Sequence, residues 1–258
     1  MENLPPARIR PVPAVSRAIA ILRLLSRNDK PLGVNAIARE LHLVPSTCLH
    51  ILRVLVQEEF LAVNPATRQY RLEAGVLTIA REFLVRDSFR SMVQPILDQL
   101  ADKFGLTVVG MQVTRLSQVA IAVSRSTHPV RIHVEIGSSS PPLIGAAGRC
   151  VAAYGGYKRG ELARRFPALH WYHAPTLKQW LGQVEFTRKS GYSVDEGNYF
   201  HGLTAVGVPI LDEHGLISHA VVAVGVSAQI AKTGTAKLAA QMQKEVVRLS
   251  RADTRSPL

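Results

Sequence analysis

The sequence predicts an α+β chain in two domains, and three observations carry that expectation. Its 258 residues exceed what one domain usually needs, and its 47% hydrophobic content suffices for two cores. The first 75 residues hold three runs with helical spacing of apolar positions, then two short β-rich runs around a turn. From Thr107 the pattern changes to short β-branched runs that pair across turns, with helical runs set apart from them. That arrangement indicates an antiparallel α+β domain rather than a doubly wound one.

Taken in order, residues 1–13 (MENLPPARIRPVP) are proline-rich, lack the apolar core of a signal peptide, and read as a flexible tail. "AVSRAIAILRLLSRN" places Val15, Ala18, Ile19, Leu22 and Leu25 on one stripe of a first helix. Pro31 and Gly33 break the chain, and "VNAIARELH" gives a short second helix with Ile37 and Leu41 inward. Pro45 opens a third helix at a position where its missing N–H costs nothing. Cys48, Ile51, Leu52 and Leu55 form its apolar stripe, whereas Ser46, His50, Arg53 and Gln57 recur on the opposite face. "FLAV" and "QYRL" flank the turn "NPAT", a hairpin signal. Three helices and a hairpin make the plan of a winged helix-turn-helix, in which the third helix enters the major groove and the wing lies along the backbone. A merely solvated polar face is the alternative for the Ser46–His50–Arg53 stripe.

The stretch "GVLTIAREFLVRDSFRSMVQPILDQLADKFGL" reads as a linking helix over 76–90 and then a second helix that contains Pro95. Beyond it, "TVVGMQV", "QVAIAVS", "PVRIHVEIG", "AVGVPIL" and "ISHAVVAVGV" read as strands. "AAGRCVAAYG", "LKQWLGQVEFTRKSG" and "AKLAAQMQKEVVRLSR" read as helices, and "DEHG" is the turn of a strand pair. The boundaries follow: a DNA-binding domain over 14–75, the linking helix, a second domain over 91–252, and a flexible tail over 253–258.

A net charge of +12 favours an anionic partner, but it does not locate one, because the excess runs along the whole chain. Two cysteines, Cys48 and Cys150, without a Cys-x-x-Cys pair give neither a disulfide framework nor a thiolate zinc site. No apolar run approaches the length of a bilayer span, so a soluble cytoplasmic protein without membrane association is expected.

The phrases "SRAIAILRLLS", "IARELHLVPSTCLHILRVL", "NPATRQYRL", "LIGAAGRC", "GYSVDEGNYFHGL" and "VPILDEHGLISHAVVAVGVS" together resemble the isocitrate-lyase-regulator (IclR) family of bacterial transcription factors, from Val15 to nearly the end of the chain. The resemblance implies a winged helix joined by a linking helix to a GAF-like domain that binds a small carboxylate effector. It also implies assembly as a homodimer or homotetramer on a double-stranded DNA operator; no cofactor, metal or catalytic residue is expected. Family members commonly carry a His-Arg pair where this chain has Leu49-His50, and Arg53, one turn later, takes the place of the groove arginine. The expected DNA contacts are therefore Arg17, Ser46, Thr47, His50, Arg53 and Arg68, with Arg17 and Arg68 on phosphates. The effector contacts that the resemblance implies are Ala146, Ala147, Asp195, Ala205, Val222 and Val224, with Ile132 at an apolar lip. Backbone N–H groups from Gly145 to Gly148 would receive a carboxylate. Relatives that bind small hydrophilic acids have Cys or Ser where this chain has Ala205, Val222 and Val224. An apolar, aromatic acid is therefore the expected ligand, and a hydroxyl on it would meet Asp195. An aromatic catabolic gene cluster is the expected target. The two valines fit an ordinary core equally well.

His170 and His173, three apart, suggest a metal pair on a helix, but Trp171 and Tyr172 beside them look like packing residues. His128 and His133 raise the same question more weakly. Cys150 reads as a buried structural thiol, and the glycines lack the strand–loop–helix context of a nucleotide site. The alternative function is a hydrolase-like enzyme on the second domain, whose acid–base equipment would be limited to Asp195.

Overall fold

A computed structural model describes residues 12–126 and 131–253. Apart from their inner ends, the two expected tails lie outside the described residues, and so does His128. The chain divides into two compact units, Met1–Arg86 and Asp87–Leu258.

In the first unit, α1 (Pro13–Ser26), α2 (Val34–Glu40) and α3 (Pro45–Gln57) enclose a core of Ile21, Leu25, Ile37, Cys48, Leu52, Leu55, Leu61 and Tyr70. The stripe expected on α1 is rotated. Ala18, Ile21, Leu22 and Leu25 pack inward, whereas Val15 and Ile19 stay 56% and 44% exposed. Apolar spacing alone could not choose between the two faces, since Ile21 completes a stripe as well as Ile19 does. Between α2 and α3 the chain turns at His42 with φ 52°, and Leu43 N–H returns to Ala38 O at 2.8 Å. The hairpin is β2 (Leu61–Val63) against β3 (Gln69–Leu72), with Leu61 opposite Leu72. A third strand that the sequence did not signal, β1 (Leu32–Gly33), pairs on the outer side of β3. At two residues it is too short for any periodicity to show. Helix α4 (Gly75–Arg86) closes the unit.

The second unit opens on α5 (Ser88–Phe104), with Pro95 inside it. The Asp87 carboxylate accepts from the Phe89 and Arg90 N–H groups and so caps α5. The helix expected over 76–90 therefore stops at Arg86, because an aspartate at this position starts a new helix rather than continuing the old one. There follow β4 (Thr107–Val113), β5 (Gln118–Arg125), β6 (Ser139–Ser140), α6 (Gly145–Tyr154), α7 (Arg159–Arg165), a 3-10 turn at Phe166–Ala168 and α8 (Leu177–Ser190). The chain ends with β7 (Ser193–Glu196), β8 (Leu203–Leu211), β9 (Ile217–Val226), α9 (Ser227–Thr233) and α10 (Thr235–Asp253). Six antiparallel strands form one sheet in the order β6-β5-β4-β9-β8-β7. The sheet is covered on both faces. Val108, Val206, Val208, Val221 and Ala223 pack against α5 and α10, and the other face packs against α6 and α8 around Trp180. Of the expected strand "PVRIHVEIG", Pro129 and Val130 lie outside the described residues, and the rest is not a strand: Arg131–Glu135 is irregular. Side chains hold it in place of a ladder, with the Thr107 hydroxyl on Ile132 O at 2.7 Å and Arg125 on Val134 O at 2.8 Å.

Candidate functional site

In the first unit, Ser46, His50 and Arg53 share the exposed face of α3, while Thr47 beside them is half-buried. Their spacing follows the helical repeat, and Cys48, Leu52 and Leu55 fix the opposite face in the core, so the stripe cannot rotate away. Arg17 is exposed on α1, and Arg68 is exposed at the hairpin turn with φ 56°. Asn64 shapes that turn by accepting from the Ala66 and Thr67 N–H groups. The exposure of Arg17, Ser46, His50, Arg53 and Arg68 leaves these side chains available to an external ligand.

In the second unit, a cavity of about 430 Å³ opens on one face of the sheet. The register explains its wall. Asp195 stands opposite Ala205, Ala205 opposite Val224, Val222 opposite Val109, and Met111 opposite Ala120, so side chains from five strands meet on one face. Ile132 and Val134 of the irregular segment and Ser138–Ser140 form one rim, and Tyr199, Phe200 and Leu203 form another. The start of α6 closes the end of the cavity with Gly145, Ala146 and Ala147. Gly145 has φ +73°, a conformation that needs glycine, and the N-cap Ile144 supplies no side-chain cap. The first-turn N–H groups of α6 therefore lack partners within the helix and could receive an anion. Of the described lining residues, none is Lys or Arg.

Eight of the nine expected effector residues line this one cavity: Ile132, Gly145, Ala146, Ala147, Asp195, Ala205, Val222 and Val224. Gly148 does not. Its N–H is bonded to Ile144 O, and a Cβ there would lie 2.2 Å from the Leu143 carbonyl carbon, so its glycine serves close packing at the helix start. Asp195 also departs from the expectation. Its Oδ2 accepts from Arg149 at 2.5 Å, and its Oδ1 accepts from the Asn198 and Tyr199 N–H groups. Three of the carboxylate's acceptor positions are thus taken inside the protein, where it shapes the Asn198–Phe200 turn.

Arg149 is the residue that sequence reasoning missed. Fully buried, it donates to Gln183, Gly145 O, Asp195 and Asn198, and lies over the Trp171 ring. Burial lowers its pKa, and Asp195 opposes the shift. An arginine within "GAAGRCVAAY" was the available signal, since a charge amid small apolar residues on a buried helix needs a partner. Gln118, Tyr199 and the serine rim were also missed; they lie in runs whose burial only the tertiary fold reveals. Cys150 is buried against the Ser193 hydroxyl at 3.3 Å, and burial pushes its thiol up to about 12, which makes it an inert packing thiol. His170 and His173 sit in an irregular segment and not on a helix. Among the described residues no group of three or more His, Cys, Asp or Glu is arranged to hold a metal ion, and no helix is long and apolar enough to cross a membrane.

The sequence matches the profile of the bacterial transcriptional regulator IclR C-terminal domain over residues 82–251 and that of the IclR helix-turn-helix domain over residues 14–65. The glycerol operon regulatory protein of Streptomyces coelicolor is 27% identical over 227 residues, covering 87% of this chain and 89% of that one. The transcriptional repressor IclR of Escherichia coli is 25% identical over 211 residues, covering 79% and 76% respectively. Among solved structures, an IclR transcriptional regulator from Alicyclobacillus acidocaldarius superposes with a TM-score of 0.81 at 24% identity, covering 94% of this chain and 99% of that one. An IclR homologue from Microbacterium hydrocarbonoxydans, solved as a complex with 4-hydroxybenzoate, superposes with a TM-score of 0.74 at 16% identity, covering 94% and 100%. These structures share the fold. Members of the family regulate transcription and are not enzymes, which removes the hydrolase alternative. With both domain profiles in their expected order on a winged helix and a cavity-bearing antiparallel sheet, the chain belongs to the IclR family of bacterial transcriptional regulators.

Proposed function

We propose that this regulator binds its operator through the Ser46–His50–Arg53 face of α3 and is controlled by an apolar, aromatic carboxylic acid held in the cavity of the second unit. One observation carries the ligand class: the cavity joins an apolar wall to an uncapped helix start. Val109, Met111, Ala120, Ala205, Val222 and Val224 offer a ring surface to pack on, and would leave the hydroxyls of a small hydrophilic acid unpaired at a cost. The N–H groups of Gly145–Ala147 suit the carboxylate, with the Gly148 N–H excluded because Ile144 O already accepts it. The volume fits a single-ring acid. The complex of the Microbacterium homologue with 4-hydroxybenzoate supports an aromatic ligand for this fold. Control of an aromatic catabolic gene cluster follows from a ligand of that kind.

Calorimetry with a panel of aromatic and small aliphatic acids tests the reading. Benzoate-sized aromatic acids should bind, and replacing Val222 and Val224 together by Ser should weaken them by roughly tenfold or more. Binding of glyoxylate or pyruvate without any aromatic acid would show that the wall does not select as argued.

A further inference from the structure

We propose that Gln118 reads a hydrogen-bond donor on the effector, so that the ligand is a hydroxy- or amino-substituted acid rather than a plain one. This rests on the cavity being the effector site. Gln118 is the first residue of β5, is 1% exposed, and lines the cavity two residues before Ala120 on the same strand. Its Nε2 donates to Pro141 O at 2.8 Å and to Ile144 O at 3.0 Å. Those two bonds use both hydrogens of the amide. Turning the amide over would set its oxygen against two carbonyl oxygens, so the orientation is fixed by the chain entering α6. What Gln118 has left to offer is an oxygen, an acceptor without donor capacity.

The other polar groups of the lining are rotatable, exposed or already engaged. The Ser138, Ser139, Ser140 and Tyr199 hydroxyls rotate to donate or accept. His133 is exposed beside Glu135, and Asp195 is held by Arg149 and two backbone N–H groups. The cavity therefore presents backbone donors at the start of α6 and a locked acceptor at Gln118. A ligand matches that pattern when it carries a carboxylate and, apart from it, an O–H or N–H. A plain acid that dries the cavity leaves the Gln118 oxygen unmet, and an unmet buried acceptor is costly.

Calorimetry on the full-length protein with benzoate, its hydroxy and amino isomers, and the matching methoxy compounds tests the assignment. At least one hydroxy or amino isomer should bind roughly tenfold tighter than benzoate, and its methoxy counterpart, which keeps the oxygen but cannot donate, should lose the gain. Gln118→Met should abolish the difference between the donor and methoxy compounds. The wild-type ligand series needs no substitution, so it decides the question even if Gln118→Met disturbs the start of α6. Equal affinities for donor and methoxy compounds, or a hydroxyl preference that survives in Gln118→Met, overturn the proposal. If neither benzoate nor any derivative binds, the reading of the cavity fails and this assignment falls with it.

Discussion

Arg53 and Arg68 are both exposed arginines of the first unit, yet different behaviour is expected of them. Arg53 lies on the face of α3 that would read bases, so Arg53→Ala should cost about 1–3 kcal/mol at the operator and relax its sequence preference. Arg68 sits at the wing turn, where a phosphate contact would be indifferent to sequence; Arg68→Ala should weaken all DNA alike and flatten the salt dependence. Quantitative DNA binding by the two folded variants, on operator and unrelated DNA across a salt series, separates the roles. Unchanged operator affinity in Arg53→Ala would remove it from the interface. In the second unit the sensitive pair is Arg149 and Asp195. Removing one charge of a buried pair leaves the other uncompensated, so Asp195→Ala should destabilise the fold by about 3–5 kcal/mol in chemical denaturation. Replacing both together, Arg149→Met with Asp195→Leu, should recover part of that loss, although Gln183 and Asn198 also lose their partner.

Among the elements, β9 has a place that no single residue reveals. Its alternation sends Val222 and Val224 to the cavity and Val221 and Ala223 to the core beneath α5 and α10. His219, on the latter side, stacks on Phe89 of α5 with ring centroids 3.9 Å apart. Burial lowers the pKa of His219, and the nearby Asp87 carboxylate opposes the shift. The folded state thus disfavours the imidazolium relative to the unfolded chain, whose histidine titrates near 6.5. The stabilisation linked to this group is present above that value and is lost as pH falls below it. Denaturation midpoints measured between about pH 7.5 and 5 should fall less steeply in His219→Gln than in the wild type. Parallel curves would show that His219 titrates normally in the fold.

For the whole molecule, a lone recognition helix contacts too little DNA for a specific site, and paired half-sites make up the deficit. We predict that the protein is at least a dimer at micromolar concentration, to be measured by light scattering or sedimentation with and without operator DNA. A monomer under both conditions would contradict the paired-site reading. The net charge of +12 adds a sequence-independent attraction to DNA, so operator affinity has to be compared at matched salt.

Local pattern made the order of the two domains, the third helix with its inward Cys48–Leu52–Leu55 stripe, and the 61–72 hairpin readable in advance. Each follows from periodicity or turn chemistry within a few residues, which a sequence displays directly. The family phrases extended that reading to eight residues that proved to line one cavity. Beyond this, long-range contacts decided. Whether Val222 and Val224 were core or pocket depended on what lay over the sheet, and residues 131–135 lost their strand because side chains from β4 and β5 hold them. Asp195 was taken by Arg149, a residue 46 positions away, and the Gln118 amide was fixed by carbonyls that follow it by 23 and 26 positions. A hydrogen-bond partner is set by distance in space, and a strand's alternation says which side chains share a face but not what that face meets. The chemistry of the cavity was therefore for the tertiary structure to decide.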